Sequence, residues 1–336
     1  MTGKWGRRAI TIPIVALGFL LVTALLPALV LVALVVDVGR RRGPVAVRIV
    51  GFLWVYLAGQ LLGLAALFWV WLRFLPSPQR WVDATFQVQT AWASALFRAV
   101  SVLFRLELEV EGDDALTPGP YLVFIRHASI IDTLLPSVVV TARHGVRLRF
   151  VLKRELLVDP CLDVAGLRLP NAFVSRTGED GRDIDAVRAL SRDLGPNDGI
   201  LIYPEGTRFD MDKQRRVLEK LRVESPATFP LAKALTHVLP PRLGGALALL
   251  EGASEADAVF VAHTGLDGFA RIADIFDQAL DRRRVAVKIW RVPRAEIPAS
   301  PDDRVRWLFE EWQKVNDWVA ARSKRGAECL SGPSRP

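Results

Sequence analysis

"VFIRHASIIDTLLP", residues 123–136, runs an apolar, strand-like segment straight into Arg126 and His127, with Asp132 five positions past the histidine. Residues five apart on a regular helix point about 140° apart, so His127 and Asp132 would not share a helical face. They meet only if His127 lies in the turn before a helix and Asp132 in its first turns. In that arrangement the carboxylate fixes the imidazole tautomer and supports the imidazolium formed when the ring takes a proton. The end of a strand is also where ligand-contacting loops of α/β folds emerge.

Other runs of the same kind surround it. "RLELEVEG" (105–112) alternates apolar with charged residues, as a half-buried strand does. "YLVFI" (121–125), "RLRFVLK" (147–153), "AFVS" (172–175), "GILIY" (199–203), "AVFVAH" (258–263) and "VAVKIWRV" (285–292) are further strand candidates. Between "AFVS" and "GILIY", Ile184, Val187, Leu190 and Leu194 recur at helical spacing before Gly195-Pro196. Strands alternating with helices predict an α/β domain with a mixed, mostly parallel sheet flanked by helices.

Ahead of that domain the composition changes. Residues 9–36 and 49–72 carry no charge, and each exceeds the roughly 20 residues that cross about 30 Å of hydrocarbon as a helix. The first is about twice the length of a signal-peptide apolar region, so both are expected to stay as an N-terminal helical hairpin. The linker between them brings four arginines, and the N-terminal tail with Arg73 and Arg80 brings five positive charges to the other side. The positive-inside rule therefore does not choose between two full crossings and a hairpin dipping into one leaflet. The expected organisation is a membrane region over 1–74, a catalytic domain over 75–323 and a disordered tail over 324–336. The helical segment 81–104 reads as packed against the core, or as lying along the interface on Trp81, Trp92 and Phe97.

The 336 residues are 51% hydrophobic with a formal charge of +8, which suits an anionic membrane surface. No zinc-finger spacing, RNA-binding signature or interleaving of aromatic with basic residues points to nucleic acid. Cys161 and Cys329 are too few and too separated for a disulfide framework or a thiolate metal site.

Two more clusters bear chemistry. "YPEGTRFDMDK" (203–213) follows an apolar run and lines up Glu205, Gly206, Thr207 and Arg208. The glycine lets backbone N–H groups approach an anion, and a guanidinium grips phosphate bidentately. In "NAFVSRTGED", Arg176 closes another short apolar run. Together the three strand ends describe a hydroxyl-bearing, phosphate-bearing acceptor. A hydrolase is disfavoured, because no G-x-S-x-G elbow is present. His144, His237 and His263 have no matching motif and read as structural or surface residues.

"RHASIID", "AFVSR", "IYPEGTR" and "VLPPR" occur in the order and approximate spacing of the four motifs of the glycerolipid acyltransferases, the 1-acylglycerol-3-phosphate acyltransferase superfamily. The resemblance covers about residues 75–320. "EGTRFDMDK", "HVLPPRLGG" and "WLFEEWQKVND" look most like the branch holding lysocardiolipin and lysophosphatidylinositol acyltransferases and their bacterial relatives. It implies His127 as general base on the acceptor's hydroxyl, Asp132 as its orienting partner, and direct attack on an acyl thioester without an acyl-enzyme. It further implies that Glu205, Gly206, Thr207, Arg208 and Arg176 bind the acceptor's glycerol phosphate, with Lys153 at a basic position of the family. Pro241 and Arg242 match the fourth motif, linked with the acyl donor.

The implied co-substrate is acyl-CoA or acyl carrier protein, with no cofactor and no metal. The implied partners are membrane lipids and a lysophospholipid acceptor, and the implied place is a bacterial inner membrane with the catalytic domain on the cytoplasmic face. Arg126 stands where the family usually has asparagine, and Ala128 replaces a larger polar residue. Those two departures suggest the alternative of a catalytically degenerate lipid-binding protein on the same fold, but they do not imply inactivity, because the proton-transfer pair and the phosphate-binding residues are intact.

Overall fold

A computed structural model describes residues 3–41, 43–116, 118–175, 181–268 and 280–330, with backbone only for 324–330. The chain divides into two compact units. One comprises 1–107, 134–177 and 271–283; the other comprises 108–133, 178–270 and 284–336. The expected boundary at 74/75 follows the composition, whereas these units are interleaved along the chain.

In the first unit, helices α1 (Lys4–Arg40) and α2 (Val45–Arg73) run antiparallel. The Trp54 indole donates to Thr23 Oγ1 (3.1 Å) and stacks 5.9 Å from the Phe19 ring. At the turn, the Asp37 carboxylate accepts from the N–H groups of Ala46 and Val47 (2.8 and 3.1 Å), which satisfies two orphan donors at the start of α2. Both helices are long and apolar enough to cross a membrane by length and composition. Their apolar side chains are largely exposed, Leu17, Leu21, Leu31 and Val35 each by 60% or more. Contiguous apolar surface of this kind marks contact with lipid or protein.

Helix α3 (Pro78–Phe104) lies along α2. Glycines in α2 permit the approach: Leu96 packs on Gly59, and a Cβ at Gly63 would lie 2.7 Å from Cys161 Sγ. Phe97 is buried, Trp92 rests on Gly63, and the Arg168 guanidinium sits 5.1 Å over Trp81. The aromatic side of α3 therefore faces the unit's interior. After the π turn Ser137–Thr141 and the short turn α4 (Ala142–His144), strands β3 (Arg147–Lys153) and β4 (Ala172–Val174) pair in parallel.

Between those strands runs α5 (Pro160–Gly166). Its N-cap Asp159 accepts from Leu162 N, and also from Tyr56 Oη and Gln60 Nε2 (2.6 and 2.5 Å). The buried Asp163 of α5 is gripped by both Arg7 and Arg8 at the start of α1. The polar and charged groups of α5 thus clasp both hairpin helices.

The second unit holds β1 (Glu107–Glu111), β2 (Tyr121–Ile125), β5 (Asp198–Ile202), β6 (Asp257–Thr264) and β7 (Arg284–Val292) in the order β1-β7-β6-β2-β5. Strand β2 pairs in parallel with both β5 and β6, while β6 and β7 are antiparallel. With the parallel β3/β4 pair, the strands are mixed and mostly parallel, as expected. Every residue of β2 is buried, as for a parallel strand covered on both faces. Phe260 stacks with Phe124 and Trp290 (5.2 and 5.5 Å) and meets the edge of Trp307.

Helices α6 (Gly181–Ala189), α7 (Met211–Glu224), α8 (Phe229–Ala234), α9 (Leu243–Gly252) and α10 (Pro301–Leu330) complete this unit. The backbone of α10 stays helical through 324–330, where a disordered tail is expected. "SKRGAECL" there contains mostly helix-tolerant residues with a single glycine.

Candidate active site

The register of the parallel strands assembles the site. Phe124 aligns with Ile202 and Ile125 with Val261, and Arg126 N continues the ladder to Val261 O (3.1 Å). The carboxyl ends of β2, β5 and β6 therefore bring the segments after 125, after 202 and around 263 to one edge, the usual place for a ligand in such sheets.

His127 leaves β2 in an open loop, and Asp132 is the second residue of a 3-10 turn, Ile131–Leu134. Ser129 starts that turn, its Oγ accepting from the N–H groups of Ile131 and Asp132 (both 3.0 Å). The wrap brings His127 Nδ1 to 2.9 Å from Asp132 Oδ1. The other oxygen, Oδ2, accepts from the N–H groups of Ala128 and Ser129 (both 2.6 Å). With Nδ1–H donated to the carboxylate, His127 presents Nε2 as its basic nitrogen.

The His127 side chain is 13% exposed and that of Asp132 is fully buried. Burial works to raise the Asp132 pKa, but the charge and hydrogen bond of His127, joined by His263, outweigh it. The carboxyl is held well below the usual carboxylate range. Tyr203 lies with its ring centroid 4.6 Å from that of His127 and donates its hydroxyl to Asp132 O (3.3 Å).

Glu205 is 2% exposed. Its Oε1 accepts from His127 N (2.8 Å) and its Oε2 from Leu239 N (3.0 Å). Both oxygens are occupied by main-chain donors, so this side chain braces the loops after β2 and before α9 rather than facing an acceptor. Burial pushes its pKa up to about 8, against the pull of Arg126 and of the two N–H donors.

Gly206 has φ +65°, the left-handed region, and a Cβ there would lie 2.7 Å from Arg242 Nε. Glycine thus allows both the turn and the close seat of Arg242, whose N–H donates to Pro204 O (2.8 Å). The half-buried Thr207 and Arg208 follow, and Phe209 N donates to His127 O (2.9 Å). Asp210 then caps α7 through Asp212 N and Lys213 N.

The structure thus brings together His127, Asp132, Glu205, Gly206, Thr207 and Arg208. Lys153 ends β3 in the first unit, and Arg176 lies outside the described residues. Arg126, where asparagine is usual, is buried. Its guanidinium donates to the carbonyls of His263 and His237 (2.7 and 3.1 Å) and to Asp267 Oδ1 (2.5 Å).

His263 is fully buried, with Nε2 2.9 Å from Arg126 O and 3.5 Å from Asp132 Oδ2. No motif marks it. The signal that finds it is positional, since in-register extension of β2 beside β6 puts position 263 level with 127. Among the described residues, no group of three or more His, Cys, Asp or Glu could hold a metal ion.

Residues 107–246 match the family model described as Acyltransferase. Among curated proteins, the chain is 23% identical over 258 residues to lysophosphatidylinositol acyltransferase 10 of Caenorhabditis elegans, covering 72% of this chain and 62% of that one. The chain thus spans about three fifths of that relative's length. Among solved structures, it is similar in fold to the 1-acyl-sn-glycerophosphate acyltransferase PlsC of Thermotoga maritima, with a TM-score of 0.50 and 16% identity, over 86% of this chain and 100% of the other.

Proposed function

We propose that the protein is a membrane-bound O-acyltransferase that moves a fatty acyl chain from acyl-CoA or acyl carrier protein to the free hydroxyl of lysophosphatidic acid or a related lysophospholipid. The observation that carries this reading is the 2.9 Å contact of His127 Nδ1 with a buried carboxylate at the carboxyl edge of β2. His127 Nε2 takes the acceptor's hydroxyl proton as the oxygen attacks the thioester carbonyl carbon. The C–O bond forms, the C–S bond breaks, and the proton passes to the departing thiolate. General-base help of this kind contributes about 10²–10⁴-fold.

Arg208 binds the acceptor's phosphate, and Gly206 and Thr207 line the same loop. Arg126 is engaged with its own fold, so its replacement of asparagine lends no support to a degenerate, lipid-binding role. The exposed apolar faces of α1 and α2 support attachment to a bilayer, where lysolipids concentrate because each buried CH₂ contributes about 0.8 kcal/mol. The water-soluble acyl donor puts the catalytic face in the cytoplasm, in a bacterial cell at the inner membrane.

The test is purified protein in detergent with a matrix of acyl donors and lysolipids, the products read by mass spectrometry. Wild type forms a phospholipid ester, and His127→Ala lowers its rate about 10³-fold or more at unchanged thermal stability. Lysolipid binding with no ester from any donor would replace the enzyme reading by the lipid-binding one.

A further inference from the structure

The His127–Asp132 pair does not account for the second imidazole beside it. His263, near the end of β6, is fully buried in a strand whose neighbours Phe260, Val261 and Ala262 are apolar. Nε2 faces two acceptors, Arg126 O at 2.9 Å and Asp132 Oδ2 at 3.5 Å, while Nδ1 has no hydrogen-bond partner. Only a nitrogen bearing a proton can sit between a carbonyl and a carboxylate, so the ring carries Nε2–H. Any apolar side chain of similar volume would fill the strand position but leave the Arg126 carbonyl a buried acceptor without its donor.

We infer that His263 is a positioning residue of the dyad: its Nε2–H, bonded to Arg126 O and 3.5 Å from Asp132 Oδ2, joins Ala128 N and Ser129 N in holding the carboxylate so that Oδ1 serves His127. The contact works in two ways. The hydrogen bond to Arg126 O fixes the main chain one residue before the base. The N–H dipole near Oδ2 also takes a share of the Asp132 charge, which otherwise falls on His127. Removing it strengthens the pull of Asp132 on the His127 imidazolium and keeps the base protonated to higher pH. The other titratable and charged groups around this corner are Arg126, Asp267, Glu205 and Tyr203, and a substitution at 263 replaces none of them.

The inference rests on the proposed acyl transfer, and its test separates the two. The rate of oleoyl transfer from oleoyl-CoA to lysophosphatidate is followed against pH for wild type, His263→Leu and His263→Gln. The Gln amide nitrogen reaches the place of Nε2, and the Leu side chain offers no donor. Expected for Leu is a kcat about tenfold lower with KM within about twofold, and an acidic limb of kcat/KM displaced upward by about 0.5 unit or more; Gln returns the limb towards wild type. If the Leu variant does not fold, His263→Asn, whose amide is too short to reach, takes its place against Gln.

Should wild type make no ester, the acyltransfer reading fails. The downfield proton resonance of His127 Nδ1–H then reads the same contact, moving in the Leu variant and returning in Gln. A limb and a resonance both unmoved by Leu, whatever happens to thermal stability, would overturn the inference and leave His263 a packing residue.

Discussion

Glu205 illustrates how a residue's neighbours decide its job. From the sequence it is one of a row of polar groups after a strand, suited to a phosphate. In the fold, both its oxygens accept from main-chain N–H groups 78 and 34 positions away. Glu205→Gln retains size but turns one acceptor into a donor, so one N–H loses its partner. The expected cost is about 1–3 kcal/mol, read as a lower urea midpoint, together with a fall in kcat because the His127 main chain loosens. Asp132 yields a pH effect. Its pKa is lowered in the fold, so on acidification the unfolded chain binds the proton first. The stability it contributes is full above about pH 4 and is lost below that. Between about pH 5 and about pH 3, wild type should lose more unfolding free energy than Asp132→Asn.

At the scale of elements, much is legible in the sequence because it is written locally. The strand runs 121–125 and 147–153 match β2 and β3 residue for residue. The H-x4-D spacing predicts a turn and then the first residues of a helix, and the structure has an open loop and then a 3-10 turn. The helix after "AFVS" ends at Ala189, ahead of the periodicity that reaches Leu194, because turns intervene before Gly195.

Non-local props left no such trace. Helix α10 holds the loop before α9: Trp312 Nε1 donates to Leu239 O (3.0 Å), and Asn316 Oδ1 accepts from Thr236 N and His237 N (2.8 and 2.7 Å). Nothing local in "WLFEEWQKVND" announces that a carbonyl some seventy residues upstream needs a donor, just as nothing marked His263. Trp312→Ala should cost about 3–5 kcal/mol in thermal or chemical unfolding. Because Leu239 N also bonds Glu205, activity should fall well before the sheet melts.

For the whole molecule, the charge of +8 and the two apolar helices act on the same surface chemistry. Binding of detergent-removed protein to vesicles should survive high salt through apolar burial, while its preference for phosphatidylglycerol over phosphatidylcholine should shrink as the Debye length falls from about 10 Å to about 3 Å. Equal affinity for both lipids at low salt would remove the electrostatic part of that account. The interleaving of the two compact units was not legible, since composition changes at residue 74 while the chain returns to the first unit at 134. Hydropathy reports what solvent a segment tolerates, not which distant segment it packs on.

The brace made by Glu205 also sets an order of events in time. Residue 127 is synthesised early, but its main chain is not anchored until residues 205 and 239 have arrived and β2, β5 and β6 have paired. A half-made chain therefore carries the histidine without the machinery to aim it.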